Sequence, residues 1–404
     1  MAVENLDAES TRAGSRAWIG VCTIGIAVFT LVTSELYPVG VLSAASADLE
    51  VSTGVAGLMV TVPGLVAAVS APLVAVYARG LDSRVVLSVL VALVALSNLA
   101  SAVAPNIETV LAARLVIGIG VGGFWALAAG IAPRLVPHSR VPLATAVVFG
   151  GVSAASVLGV PATAHLGHAI GWRAGSVTIA VVAAVVALAV FFLVPALQAR
   201  PGWRDQGSGS LSTAVRRSWL VLLVTALVAV GQFSAFTFVS PILHSVSGVA
   251  ESDLARVLLA YGVAGMAGNF LAGRFVGRDP RRGIQLIAAT ITVTLFVLLT
   301  VDVGPASTTG LMVVWGLAFG GSSVTLQLWL LQVSGRLGQL ATSASVSVFN
   351  IAIAVGSAVG GVAIDVTGNA SSALVVAMVV LLTAALTAIL GRPRVIDDDP
   401  GSTA

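Results

Sequence analysis

Lysine is absent from this chain of 404 residues: all 20 of its basic residues are Arg, and charged residues make up only 9% of it. Soluble domains carry about 25% charged residues, so the deficit excludes an ordinary soluble protein. We read the missing Lys as genome composition rather than mechanism. Cysteine is nearly absent too. The single Cys22 sits in an apolar run, which excludes an intramolecular disulfide. No cluster of His, Cys, Asp and Glu has metal-ligand spacing, and neither a Walker loop nor a nucleophile–base motif occurs. No metal site and no cofactor are therefore expected, and the chain does not read as an enzyme. The Arg residues are scattered over short loops and form no stripe, so nucleic acid is not an expected partner. Met1 to Arg16 is polar with acidic residues and lacks a signal peptide's basic start.

What the chain has is hydrophobic residues, at 57%, and 43 Gly. A helix needs ~20 mostly apolar residues to span a bilayer, and Gly is favoured where membrane helices approach closely. Twelve such spans can be read, at 18–43, 55–78, 85–104, 109–132, 142–166, 174–196, 218–245, 254–276, 283–301, 308–333, 339–364 and 371–391. The fold class is an all-α polytopic membrane protein. With the N-terminus inside, 17 Arg fall in inside segments, two (Arg173 and Arg256) fall outside, and Arg114 lies within a span. That asymmetry follows the positive-inside rule and places both termini in the cytoplasm.

Residues 198–217 form the one polar internal linker. The division expected is a cytoplasmic tail (1–16), a six-helix bundle (17–197), a cytoplasmic linker (198–217), a second six-helix bundle (218–392) and a cytoplasmic tail (393–404). The halves resemble each other weakly. Gly118-Ile-Gly-Val-Gly122-Gly123 is matched by Gly316-Leu-Ala-Phe-Gly320-Gly321 at an offset of 198, and Pro38 of the first span has a counterpart in Pro241 of the seventh. Two parallel repeats of six helices place a substrate site at their interface near the membrane midplane.

One residue stands out against this background. Glu35 is the only acid well inside an apolar segment. A lone acid at that depth costs roughly 2 to 4 kcal/mol, so it should face protein or a wet cavity rather than lipid. It reads either as a proton carrier or as an acid near the outer headgroups, since Tyr37 and Pro38 follow it.

The stretch Ser34-Glu35-Leu-Tyr-Pro38-Val-Gly40-Val-Leu, with Asp48 to Ser52, Arg114-Leu-Val-Ile-Gly118-Ile-Gly120-Val-Gly-Gly-Phe124-Trp125, Arg134-Leu-Val-Pro137, Phe149-Gly-Gly151, Leu158-Gly159-Val-Pro161 and Gly171-Trp172-Arg173, resembles the major facilitator superfamily. Within it, the set looks like the bacterial twelve-span drug:proton antiporters, including sugar efflux and purine ribonucleoside efflux pumps. The resemblance covers nearly the whole chain. It implies the major facilitator fold and a cation at Arg114 that senses the protonation of the coupling site. Two departures stand against the family pattern. The loop from Ala71 to Arg84 lacks the usual first Gly and Asp, and Val160 separates Gly159 from Pro161.

Arg114 has a second reading, as an Arg near the outer end that snorkels to headgroups. In the fifth span Gly151, Gly159 and Pro161 read as a hinge and a seal between the halves, since small residues allow close approach and Pro bends helices. A cavity set is expected from Phe124, Trp125, Gln232, Phe236, Asn269, Gln327, Trp329 and Asn350, because pockets combine apolar walls with a few hydrogen-bonding groups. Trp18, Trp219 and Trp172 read as interfacial belt residues, and His165, His168 and His244 as candidates for proton-linked roles.

The expected function is a proton-coupled efflux antiporter of the bacterial inner membrane, exporting a small molecule such as a drug, nucleoside or sugar and acting as a monomer. The alternatives are a symporter or facilitator for uptake and, in another class, a membrane-bound sensor or enzyme. Protons suffice as a driving partner, because one charge moving through 100 mV is worth ~2.3 kcal/mol, or roughly a fifty-fold gradient of a neutral solute.

Overall fold

The computed structural model describes residues 2–78, 81–128, 131–137, 140–196, 211–275, 279–301 and 304–390. Arg79, Arg278, most of the linker and the C-terminal tail, with Arg200, Arg204, Arg392 and Arg394, lie outside the described residues. Among those described, twelve helices are long and apolar enough to cross a membrane. They are α1 (Arg16–Asp48), α2 (Thr53–Val74), α3 (Ser83–Ala102), α4 (Ile107–Ala128), α5 (Leu143–Ile170), α6 (Trp172–Leu193), α7 (Ser212–Phe236), α8 (Glu251–Ala272), α9 (Pro280–Thr300), α10 (Pro305–Ser334), α11 (Leu340–Thr367) and α12 (Ser372–Ile389). Phe192, Phe270 and Val366 are among many large apolar side chains left exposed on the outside of the bundle. Such a surface suits lipid, which satisfies apolar side chains that water does not.

Prolines set two departures from straight spans. The stretch expected as one span over 218–245 breaks after Phe236, and a short helix follows at Val239–Ser247. The break puts Pro241 in the first turn of the new helix, where no N–H is required of it. The fifth span runs as α-helix to Ala154, widens into a π-helical turn at Ala155–Gly159 and resumes at Val160–Ile170. Pro161 again falls in the first turn after the irregularity.

The repeat read from the glycines is physical. A Cβ added at Gly122 of α4 would lie 2.4 Å from the Ala67 carbonyl oxygen of α2, and one at Gly320 of α10 would lie 1.9 Å from the Gly265 carbonyl oxygen of α8. The two halves therefore share a helix pair in backbone contact at equivalent positions. Apolar side chains fill the space around each pair: around the first they form a core within its own half, and around the second a core that also takes in Val39, Leu42, Val60 and Val160 of the first half.

The ends of the helices are tied as well. The Asp48 carboxylate at the end of α1 accepts from Trp172 Nε1 at 3.0 Å and from Arg173 Nε at 3.0 Å at the start of α6. Trp172 is consequently buried rather than lying in an interfacial belt, while Trp219 is 59% exposed, as a belt residue should be.

The backbone contact predicts a sharp sensitivity. Gly320→Val must push α10 from α8 and should cost about 1–3 kcal/mol of packing energy, read as a lower melting temperature of the detergent-solubilised protein. Gly310→Ala, with nothing within 4 Å of the new methyl, should melt like the parent.

Candidate functional site

Glu35 and Arg114 lie deep in the first half. Arg114 of α4 is 2% exposed and Glu35 of α1 is 9% exposed. Snorkelling is thereby excluded for Arg114, since its guanidinium points into the bundle. It donates through Nε to Met59 O of α2 at 2.8 Å, through one terminal nitrogen to Ser34 O at 3.2 Å, and through the other to Glu35 O at 3.3 Å. All three acceptors are backbone carbonyls. Among the described residues no hydrogen bond reaches the Glu35 carboxyl, which the Arg114 charge influences electrostatically. Neighbouring polar groups of α1 face elsewhere: Ser34 Oγ accepts from Asn98 Nδ2 of α3 at 2.6 Å, and the Tyr37 hydroxyl donates to the Trp172 carbonyl.

A second constellation joins the two halves at the end of the bundle remote from the start of α1 and the end of α12. Asp365, near the end of α11, accepts from Ser52 Oγ at 2.7 Å and from Gly54 N at 3.0 Å. The carboxylate of one half thus caps the N-terminus of α2 in the other, where free N–H groups and the helix dipole favour an anion. Ser357 Oγ of α11 donates to Gly57 O at 3.0 Å. Ser43 of α1 meets Ser240 at 3.2 Å, and His168 of α5 lies 3.9 Å from Glu251 of α8. Phe238, at the break after α7, fills the space between Gly57 and Gly361: a Cβ at Gly57 would be 2.5 Å from its ring. Sequence reading missed Phe238 and most of this closed end, because its members are ordinary Ser, Gly and Phe drawn from helices far apart in the chain.

The expected hinge glycines do something different. Gly151 and Gly159 pack α5 against α1 of the same half: a Cβ would lie 2.3 Å from Gly25 O and 2.1 Å from Thr33 Oγ1 respectively. Between these glycines, Ser156 and Val157 meet the other half at Gly262 of α8.

The cavity set divides. Phe124 is buried in the core of the first half and Trp329 in that of the second. Gln232 is 1% exposed; it donates to the Tyr261 hydroxyl at 2.9 Å and accepts from Trp315 Nε1 at 2.8 Å. Phe236 stacks on Tyr261 with ring centroids 4.8 Å apart. These residues form an inner layer. Trp125, Asn269, Gln327 and Asn350 are partly exposed. Trp125 lies 5.8 Å from Phe149 by ring centroids, and Gln327 Nε2 donates to Thr342 Oγ1 of α11 at 2.9 Å. Phe233 joins Phe236 edge-on to the partly buried Phe319 and Phe349. His165 and His244 are exposed.

The model of the Major Facilitator Superfamily matches residues 17–345. The chain is 33% identical over 385 residues to a Pseudomonas aeruginosa protein named transcription regulatory protein OpdE, covering 94% of this chain and 95% of that one. It is 30% identical over 372 residues to the purine ribonucleoside efflux pump NepI of Escherichia coli K12, covering 91% and 93%. In fold it is similar to a bacterial homologue of the lysosomal transporter Spinster in an inward-facing, occupied conformation (TM-score 0.73, 17% identity, covering 93% and 96%). It is also similar to a mutant of the nucleoside transporter NupG (TM-score 0.74, 13% identity, covering 92% and 98%).

The closed end can be tested by its latch. In a Cys22→Ser background, a cysteine placed at the buried Ser357 should react slowly with a membrane-impermeant maleimide. Asp365→Asn removes the anion over the α2 N-terminus and should speed that labelling several-fold. An unchanged rate would show that Asp365 does not hold the end shut.

Proposed function

The chain belongs to the Major Facilitator Superfamily of transporters, and from that premise we propose that it is a proton-coupled efflux antiporter that exports a small organic molecule by alternating access. The observation that carries the reading is the Glu35 carboxyl, buried within α1 and, among the described residues, without a hydrogen-bonding partner beside a cation that is engaged elsewhere. A carboxyl so placed changes charge with little rearrangement around it. The antiport cycle needs that property, because substrate and proton must alternate. Efflux over uptake is supported by the names of the NepI relatives.

The two halves contact each other at the end built around Asp365, so the proposed state is inward-facing. The proposed cavity wall is Trp125, Phe149, Asn269, Gln327, Phe319, Phe349 and Asn350, backed by Phe233, Phe236 and Gln232. Aromatic faces with amides between them suit a flat heteroaromatic ring carrying polar edges, which favours a nucleoside over a sugar. The proposed setting is the bacterial inner membrane with both termini cytoplasmic. Reporter fusions after Gly207 and after Arg394 should therefore both report the cytoplasm, and a fusion within Ser46 to Ser52 the outside. The name of the Pseudomonas relative raises a purely regulatory reading, which proteoliposome transport separates from this one.

In proteoliposomes with an imposed proton gradient, the parent should accumulate a purine ribonucleoside in the direction opposite to proton flow. Glu35→Gln keeps the shape and removes the ionisation. It should lose uphill accumulation while retaining downhill exchange. Uphill transport at the parental rate in Glu35→Gln would place proton coupling at another residue.

A further inference from the structure

The seat of Arg114 obeys a simple count along two helices. In an α-helix the N–H of residue i donates to the carbonyl of residue i−4, and proline has no N–H to donate. Pro38 lies inside the first helix and Pro63 inside the second. Pro38 therefore strips Ser34 O of its helix donor, and Pro63 strips Met59 O of its own. These are two of the three carbonyls that Arg114 bonds, at 3.2 Å and 2.8 Å. Two vacancies on two different helices are thus filled by one guanidinium from a third. The remaining acceptor, Glu35 O, is the next carbonyl along α1.

We propose that Pro38 and Pro63 are positioning residues of the coupling site: they free two carbonyls as a seat that holds the Arg114 guanidinium by the backbone beside the Glu35 carboxyl. The functional half of this proposal rests on Glu35 as the proton carrier. The guanidinium offers five N–H groups in a planar fork. Carbonyls do not titrate, so this seat is the same whether Glu35 is charged or neutral. A guanidinium bonded directly to the carboxylate would lose its partner at every protonation. The seat keeps the cation in place through the cycle and leaves the carboxyl open to protons and substrate. The ionisable groups that act on Arg114 are Glu35 and Tyr37, both on α1. Between Thr53 and Val74 α2 has no ionisable side chain, and Glu108 of α4 is exposed at the end of its helix.

Two measurements test the halves of the proposal separately. The first is a double-mutant cycle on melting temperature, which needs no transport. Arg114→Met should lower the melting temperature of the parent. In the Pro38→Ala/Pro63→Ala protein each carbonyl regains its helix donor, so the same substitution should lower it by less than half as much. Each single proline variant relieves one carbonyl and should give an intermediate effect, which serves where the double variant does not purify. An equal drop in all backgrounds would show that the prolines do not make the seat. The second measurement is the pH profile of substrate-induced proton release. Pro38→Gly and Pro63→Gly keep a helix that bends but restore the N–H. Both should move the midpoint by about half a pH unit, about threefold in proton affinity, as the Ala variants do. Parental profiles with Gly would show that the prolines act only as bends. Proton release by Glu35→Gln at the parental level would instead remove the carrier reading, leaving the melting cycle to decide the seat.

Discussion

A full positive charge in the interior of a membrane protein must be met by acceptors, and here the backbone supplies them. Removing water from a guanidinium costs several kcal/mol, which only hydrogen-bonding partners of good geometry offset. Arg114 obtains three carbonyls from α1 and α2 while rooted on α4. Three helices are thereby held in one relation at the level of Glu35. The bond from Asn98 of α3 to Ser34 of α1 and the close glycine approach of α4 to α2 add to the hold on the same three helices and on α3.

Around this fixed point the halves divide the work. Within each half, glycines bring backbones into contact. Between the halves, glycines also bring backbones together, since a Cβ at Gly54 would lie 2.4 Å from Gly361 O, and the closed end adds single hydrogen bonds, a contact of His168 with Glu251 and an apolar surface shared by Val39, Leu42, Phe238 and Ile242. Interactions of that size are each worth about 1 kcal/mol.

Much of the fold was legible because hydrophobic length is a one-dimensional signal. The twelve spans needed no more, and the glycines at an offset of 198 announced the repeat. Glu35 and Arg114 were legible by their rarity in apolar surroundings. What resisted reading was direction around a helix. Phe124 and Trp329 sit at a plausible depth, but on faces turned into their own half. Gly151 and Gly159 read as a seam between the halves, yet they face α1. The break after Phe236 escaped notice because Pro241 is as compatible with a kinked span as with a fresh first turn. The latch at Asp365 joins residues more than 300 positions apart, a pairing that no local pattern encodes.

The break after α7 has a consequence for motion. Phe238 stands at the turn with its ring wedged beside Gly57 and Gly361, glycines of opposite halves. A ring held between two backbones cannot slide out by degrees; its face must clear both at once. The two halves thus meet around a key that is either in its slot or out of it. Parting of the two halves at this point would then be a click rather than a drift.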